Sequence, residues 1–224
     1  MQNVKLLVGI VVGTVVLVLG VALVFSGESK PQGYDGAVVM GERAHVKIGG
    51  GGGDGGGEAS ESAQTATPRV SLVEFSDFQC PACRASQPMV EQVLADFGSE
   101  VELVFRHYPL TGIHKNAMAA AVAAEAADQM GAFWEYHDTL FEKQDEWAEL
   151  DDPEEKFVEY AKDLGLDEVR FGEWLDSGEM AGLVQKDVTD GNSLGVNATP
   201  TFFVNGVKVG DGDVYRAVAR ALNE

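Results

Sequence analysis

The chain has 224 residues, with 36 acidic against 16 basic side chains, a formal net charge of −20 and two cysteines. Its length suffices for one ordinary domain with appendages, and so acidic a chain repels phosphate backbones, which removes nucleic acid from the expected partners. Two cysteines exclude a multi-bridge scaffold and a four-thiolate zinc site, so any chemistry they carry is carried as a pair.

Residues 6–25 run for twenty positions without a charge. At about 1.5 Å per helical residue this equals the hydrocarbon thickness of a bilayer. The run is longer than the apolar part of a cleavable signal peptide, and no small-residue cleavage pattern follows it. The sequence therefore predicts that residues 1–26 are an uncleaved signal anchor, a helix crossing the cell membrane once. The short N-terminus is the easier end to leave inside, which places the bulk of the protein outside the cytoplasm. Residues 27–68 are poor in large apolar side chains and contain a glycine tract from Gly49 to Gly57 broken only by Asp54. Such composition cannot bury enough surface to offset chain entropy, and it reads as a flexible tether. Within it, residues 37–40 and 45–48 have the texture of short strands that could add to the domain. Nearly all of the negative charge follows residue 68, as a solvated acidic surface, a saline habitat or a basic partner would each require.

From residue 69 to 224 the pattern is that of one globular domain. Residues 70–75 form a nearly continuous apolar run, read as a buried strand. Met89, Val90, Val93, Leu94 and Phe97 then recur at helical spacing before Gly98, and residues 101–108 read as a second strand. A strand, a helix and a strand within about forty residues predict a parallel crossover. Residues 116–128 are an alanine-rich helix, and Phe133, Trp134, His137, Leu140 and Phe141 form a core stripe on the next one. Residues 142–155 are acid-rich and read as a solvated face or loop. Phe157, Tyr160, Ala161 and Leu164 mark another helix closed by Gly165, and residues 171–183 a further short one. Asn205-Gly206 between residues 201–204 and 207–209 is the strongest short hairpin signal, because a type I′ turn needs positive φ at both central residues. A last helix runs from an Asp213 N-cap to Leu222. The β-α-β half and the β-β-α half, separated by helices at about 110–190, are the pattern of an α/β thioredoxin-like fold with an inserted helical subdomain.

Cys80-Pro81-Ala82-Cys83 opens the first helix after the first strand. A three-residue step on a helical first turn brings two sulfurs within bonding reach. Free amide N–H groups and the helix dipole stabilise a thiolate on the first of them. Pro81 suits the first turn, where its missing N–H is no loss. Cys80 is the expected nucleophile and Cys83 the resolving thiol. The same C-x-x-C serves zinc, but His45, His107, His114 and His137 stand at no familiar ligand spacing, so no metal site is expected. Thr199-Pro200 enters the hairpin strand, a position where proline often marks a cis bond, and the backbone of Thr199 is placed to pair with an extended substrate.

Taken together, Val73-Glu74-Phe75-Ser76-Asp77-Phe78-Gln79 leading into the dithiol, Arg106-His107-Tyr108-Pro109-Leu110, His114-Lys115-Asn116-Ala117, Phe133-Trp134-Glu135-Tyr136-His137-Asp138 and the segment from Gly195 to Gly206 resemble the DsbA-like thiol:disulfide oxidoreductases, in their membrane-anchored form. The resemblance implies a dithiol oxidase that introduces disulfides into unfolded or reduced exported proteins. Its only cofactor would be the Cys80–Cys83 disulfide, and a membrane quinone-linked thiol oxidase would recycle it. It further implies that Glu74 is the semi-buried acid that moves protons as Cys83 attacks. The middle residues depart from the best-known pattern, since Ala82 offers the thiolate neither donor nor charge. The same residues run in reverse would make a reductase or isomerase. A peptide-binding chaperone without turnover is the reading outside enzymology.

Overall fold

The structure, a computed structural model, describes residues 33–41, 45–49 and 67–224. The apolar run at 6–25 and most of the glycine tract lie outside the described residues, and among those described no helix is long and apolar enough to cross a membrane. Five strands, β1 (His45–Ile48), β2 (Val70–Ser76), β3 (Val101–His107), β4 (Thr201–Val204) and β5 (Val207–Val209), form one sheet in the order β1-β3-β2-β4-β5. Only β2 and β3 are parallel, in register from Val70 opposite Val101 to Ser76 opposite His107. They are joined through helix α2 (Pro81–Phe97). The hairpin β4–β5 adds antiparallel to β2, and Asn205 and Gly206 at its tip both have positive φ, as the type I′ reading requires.

Strand alternation sorts the side chains into two cores. Val70, Leu72, Val101, Leu103 and Phe105 face α2 and the inserted helices. Val73, Phe75, Val104 and Phe203 face the opposite side with Val39, Leu194 and Val196. The insertion comprises α3 (Ala117–Asp128), α4 (Phe133–Glu142), the short α5 (Gln144–Trp147), α6 (Glu154–Asp163), α7 (Glu168–Asp176) and α8 (Glu179–Ser193). In α3 seven alanines are buried, and their small side chains let neighbouring helices approach closely. The α4 stripe is core as expected, with Phe133, Trp134, His137, Leu140 and Phe141 all buried. Helix α9 (Val214–Ala221) closes the chain. Asp213 precedes it, but its carboxylate engages Arg216 instead of capping an amide.

Several expectations need correction. Of the two stretches with the texture of a strand, His45–Ile48 is indeed an edge strand, paired antiparallel to β3, whereas residues 36–40 form helix α1 (Gly36–Met40). Arg106 explains why this segment docks. Its guanidinium, 1% exposed, bonds Asp187 (2.7 Å), Asp190 (2.5 Å) and the carbonyls of Val38 and Val39 (3.0 Å each). A buried cation so surrounded is satisfied by the chain it holds. Gly41, at φ +77°, follows because a Cβ there would lie 2.5 Å from that guanidinium. The acid-rich loop at 142–155 contains α5, whose Gln144 and Trp147 are buried. The helix expected at 171–183 is two, broken at Gly178 in the left-handed conformation, and the second extends to Ser193.

Candidate active site

The end of β2, the first turn of α2 and the loop before β4 converge on the two thiols. Cys80 is the N-cap of α2 with extended backbone and Pro81 follows it in the first turn, as the sequence predicts. Cys83 is fully buried and Cys80 is 7% exposed, flanked by the exposed Pro81 and Ala82. Both cysteines are free thiols. The Cys80 sulfur lies 3.5 Å from the Thr199 carbonyl, to which it donates only while protonated, and the Thr199–Pro200 peptide bond is cis. The loop before β4 thus stands against the dithiol.

The two sulfurs are set apart electrostatically. The hydrogen bond from Cys83 is the largest reason the Cys80 pKa falls to about 5. Burial opposes this, and the amides of Cys83 and Ala82 add to it. Burial, then the neighbouring Cys80 and the charge of Glu74, push the Cys83 thiol upward. The outer thiol is therefore the thiolate and the inner one keeps its proton.

Glu74 lies on β2 with no exposed surface, and burial raises its pKa to about 7. The Ser76 hydroxyl (2.8 Å) and the Gln87 amide (3.3 Å) donate to its Oε1, while Oε2 has no partner among the described residues. Gln87 also donates to the Cys83 carbonyl (3.2 Å), and the Asp77 amide donates to the Cys83 sulfur (3.5 Å). A buried carboxyl whose pKa is raised to about 7 is therefore linked through Gln87 to the backbone of the inner cysteine.

Sequence reasoning missed the polar frame around the dithiol. Asp77 is buried. Its Oδ1 accepts from the Gln79 amide (2.8 Å), and its Oδ2 accepts from the Leu110 amide (2.8 Å) and pairs with His114 Nδ1 (2.7 Å). Gln79 donates to the Ala148 carbonyl (2.6 Å) and accepts from the Asn116 amide (2.7 Å). Asn116 in turn donates to the carbonyls of Trp147, Ala148 and Leu150. From α5, Gln144 donates to the carbonyls of Phe78 (2.6 Å) and Cys80 (3.2 Å). The insertion thus holds the active-site loop by its backbone. The signal available in the sequence was amide side chains within apolar surroundings, without their partners. The structure also brings His45 and His107 together around Glu125, although their sequence spacing gave no such indication.

An acidified thiol above a buried protonated one, at a helix N-terminus and beside a strand-entry proline, defines a thiol:disulfide oxidoreductase. Comparison with known proteins agrees. The family model described as Thioredoxin matches residues 65–224, and the chain belongs to that family. Its fold is DsbA-like. The structure of BdbD from Bacillus subtilis superposes with a TM-score of 0.66 at 22% identity, covering 88% of this chain and all of that one. MdbA, a thiol-disulfide oxidoreductase from Corynebacterium diphtheriae, does so with 0.60 at 18% identity, covering 71% and 86%. A thioredoxin-like oxidoreductase from Silicibacter pomeroyi gives 0.62 at 23%, covering 84% and 97%.

Among curated proteins, the Na+/H+ antiporter NhaA 3 of Salinispora tropica is 46% identical over 137 residues, 61% of this chain and 20% of its own length. The Na+/H+ antiporter NhaA 1 of Mycolicibacterium vanbaalenii is 38% identical over 141 residues, 61% and 22%. The chain spans about a fifth of the length of these relatives. They correct the placement drawn from the sequence, a single-pass chain at the cell membrane with its catalytic domain outside the cytoplasm. The curated relatives are proteins named as Na+/H+ antiporters, in which the matched part is about a fifth of the length, not single-pass thiol oxidases. That placement is withdrawn.

Proposed function

We propose that the chain is a dithiol oxidase that passes the Cys80–Cys83 disulfide to reduced, unfolded polypeptides. The observation that carries this direction is the position of Cys80 at the N-cap of α2, where the Cys83 thiol and the first-turn amides hold its pKa well below that of a free thiol. A stabilised thiolate favours the reduced dithiol, so its disulfide gives itself up readily. A substrate thiolate attacks Cys80 Sγ, forming a mixed disulfide and releasing Cys83, which takes a proton relayed from Glu74. A second substrate thiolate then attacks the substrate sulfur of the mixed disulfide, and Cys80 leaves as the thiolate. The substrate loses two electrons and the dithiol gains them. The Cys80–Cys83 pair is the only redox group this cycle needs within the chain. Thr199 and Pro200 line the side where an extended substrate lies, with Ala198, Pro81 and Ala82 exposed around it. Reoxidation by a quinone-linked thiol oxidase, expected from the family resemblance, completes the proposal.

Redox titration of the full chain against glutathione tests the direction. The expected potential is at or above about −180 mV, in the range of protein oxidants, and a value near thioredoxin's roughly −270 mV would overturn the oxidase reading. Transfer must also vanish in Cys80→Ser; a chaperone without turnover would keep its activity.

A further inference from the structure

We propose that His45, His107 and Glu125 form a binding site for a zinc-class divalent cation, separate from the dithiol and independent of its redox role. The three side chains come from β1, β3 and α3 and are 9%, 0% and 4% exposed. His45 Nε2 lies 2.9 Å and His107 Nε2 3.1 Å from the same oxygen, Glu125 Oε1, and the three ligand atoms lie within 4.8 Å of one another. Zinc bonds of roughly 2.0–2.2 Å in tetrahedral geometry separate neighbouring ligand atoms by about 3.3 Å. The two contacts to Glu125 reach that spacing with an expansion of a few tenths of an ångström each.

Three further observations point to a ligand. His107 has no exposed surface, and neither of its ring nitrogens makes a formed hydrogen bond among the described residues; Nε2 faces Glu125 at bonding distance but out of line. An imidazole taken from water without a partner is costly, and a cation on that nitrogen removes the cost. Asp128 Oδ1 stands 3.4 Å from His45 Nδ1, on the far side of the ring from Glu125. This is the arrangement in which an outer carboxylate orients a metal-bound histidine. Glu125 also lines a cavity of about 520 Å³ together with Val38, Gly41, Arg106, Lys186 and Asp190. The cluster thus borders open space on the side of its carboxylate. Two imidazoles and one carboxylate suit zinc better than magnesium or calcium, which prefer all-oxygen shells.

The test uses the full chain carrying Cys80→Ser and Cys83→Ser, so that thiols cannot take the metal and the redox activity plays no part. After chelator treatment it is titrated with Zn2+ by calorimetry and with Co2+ by visible absorption. The expected result is one equivalent of each, with cobalt bands of nitrogen and oxygen ligation. His107→Gln and Glu125→Gln, each added to this background, should weaken zinc binding at least 100-fold, and Asp128→Asn about tenfold. If the first two variants fail to fold, the cobalt spectrum of the background chain and the Asp128→Asn shift decide. A background chain that binds neither metal overturns the proposal, as does binding unchanged by the substitutions. Either result would leave Glu125 as a buried carboxylate that only pairs with histidine.

Discussion

Replacing Glu74 with glutamine should change how stability depends on pH. Glu74 has no exposed surface, and burial raises its pKa from the ordinary 4.5 to about 7. The folded chain therefore holds a proton on this carboxyl over a range in which the unfolded chain has lost it. Because the folded pKa is the higher one, the stability linked to Glu74 is fully present below about pH 4.5 and is lost as the pH rises through 7. A shift of about 2.5 units corresponds to about 3 kcal/mol, nearly all of it lost between pH 4 and pH 8. Glutamine retains an acceptor for Ser76 and Gln87 but cannot ionise. Urea denaturation of the reduced parent and of Glu74→Gln across pH 4–8 isolates this contribution, because the other titrating groups cancel in the difference. The variant should gain on the parent by about 3 kcal/mol over that range, whatever offset its amide introduces at low pH. A difference that stays flat to within about 0.5 kcal/mol would refute the raised pKa and, with it, the proton-relay role given to Glu74.

Two further outcomes follow from the same site. Alkylation of the reduced chain by iodoacetamide, followed from pH 4 to 9, should reach half its maximal rate near pH 5. Cys83→Ala should move that midpoint upward, since the Cys83 hydrogen bond is the largest source of the shift; a parent midpoint above about 8 would remove the acid thiolate. Asn116→Ala leaves the carbonyls of Trp147, Ala148 and Leu150 short of a donor. It should cost about 1–3 kcal/mol in denaturant unfolding, and an unchanged midpoint would show that these bonds do not hold the loop.

What the sequence made legible was local. The C-x-x-C at a helix start, the Asn205-Gly206 turn and the alanine helix each announce their geometry within a few residues, and each is found as read. What it hid depends on long separations. His45 and Glu125 lie 80 positions apart, and Arg106 reaches Val38 across 68 and Asp190 across 84. No periodicity encodes such pairs. The segment at 33–49 looked like tether because its apolar content is low, yet a buried arginine that needs carbonyl acceptors docks part of it. The break at Gly178 was similarly hidden, because the apolar spacing continues across a residue whose positive φ ends one helix and starts the next.

The unequal burial of the two thiols also decides what oxidants do to the chain. A peroxide meets Cys80 first, because Cys83 has no exposed surface. The sulfenic acid formed there lies beside a thiol that no reagent has reached. Condensation of the two releases water and leaves the same disulfide that the catalytic cycle uses, ahead of the irreversible sulfinic step. Damage at this site is thereby converted into a reactive state of the enzyme.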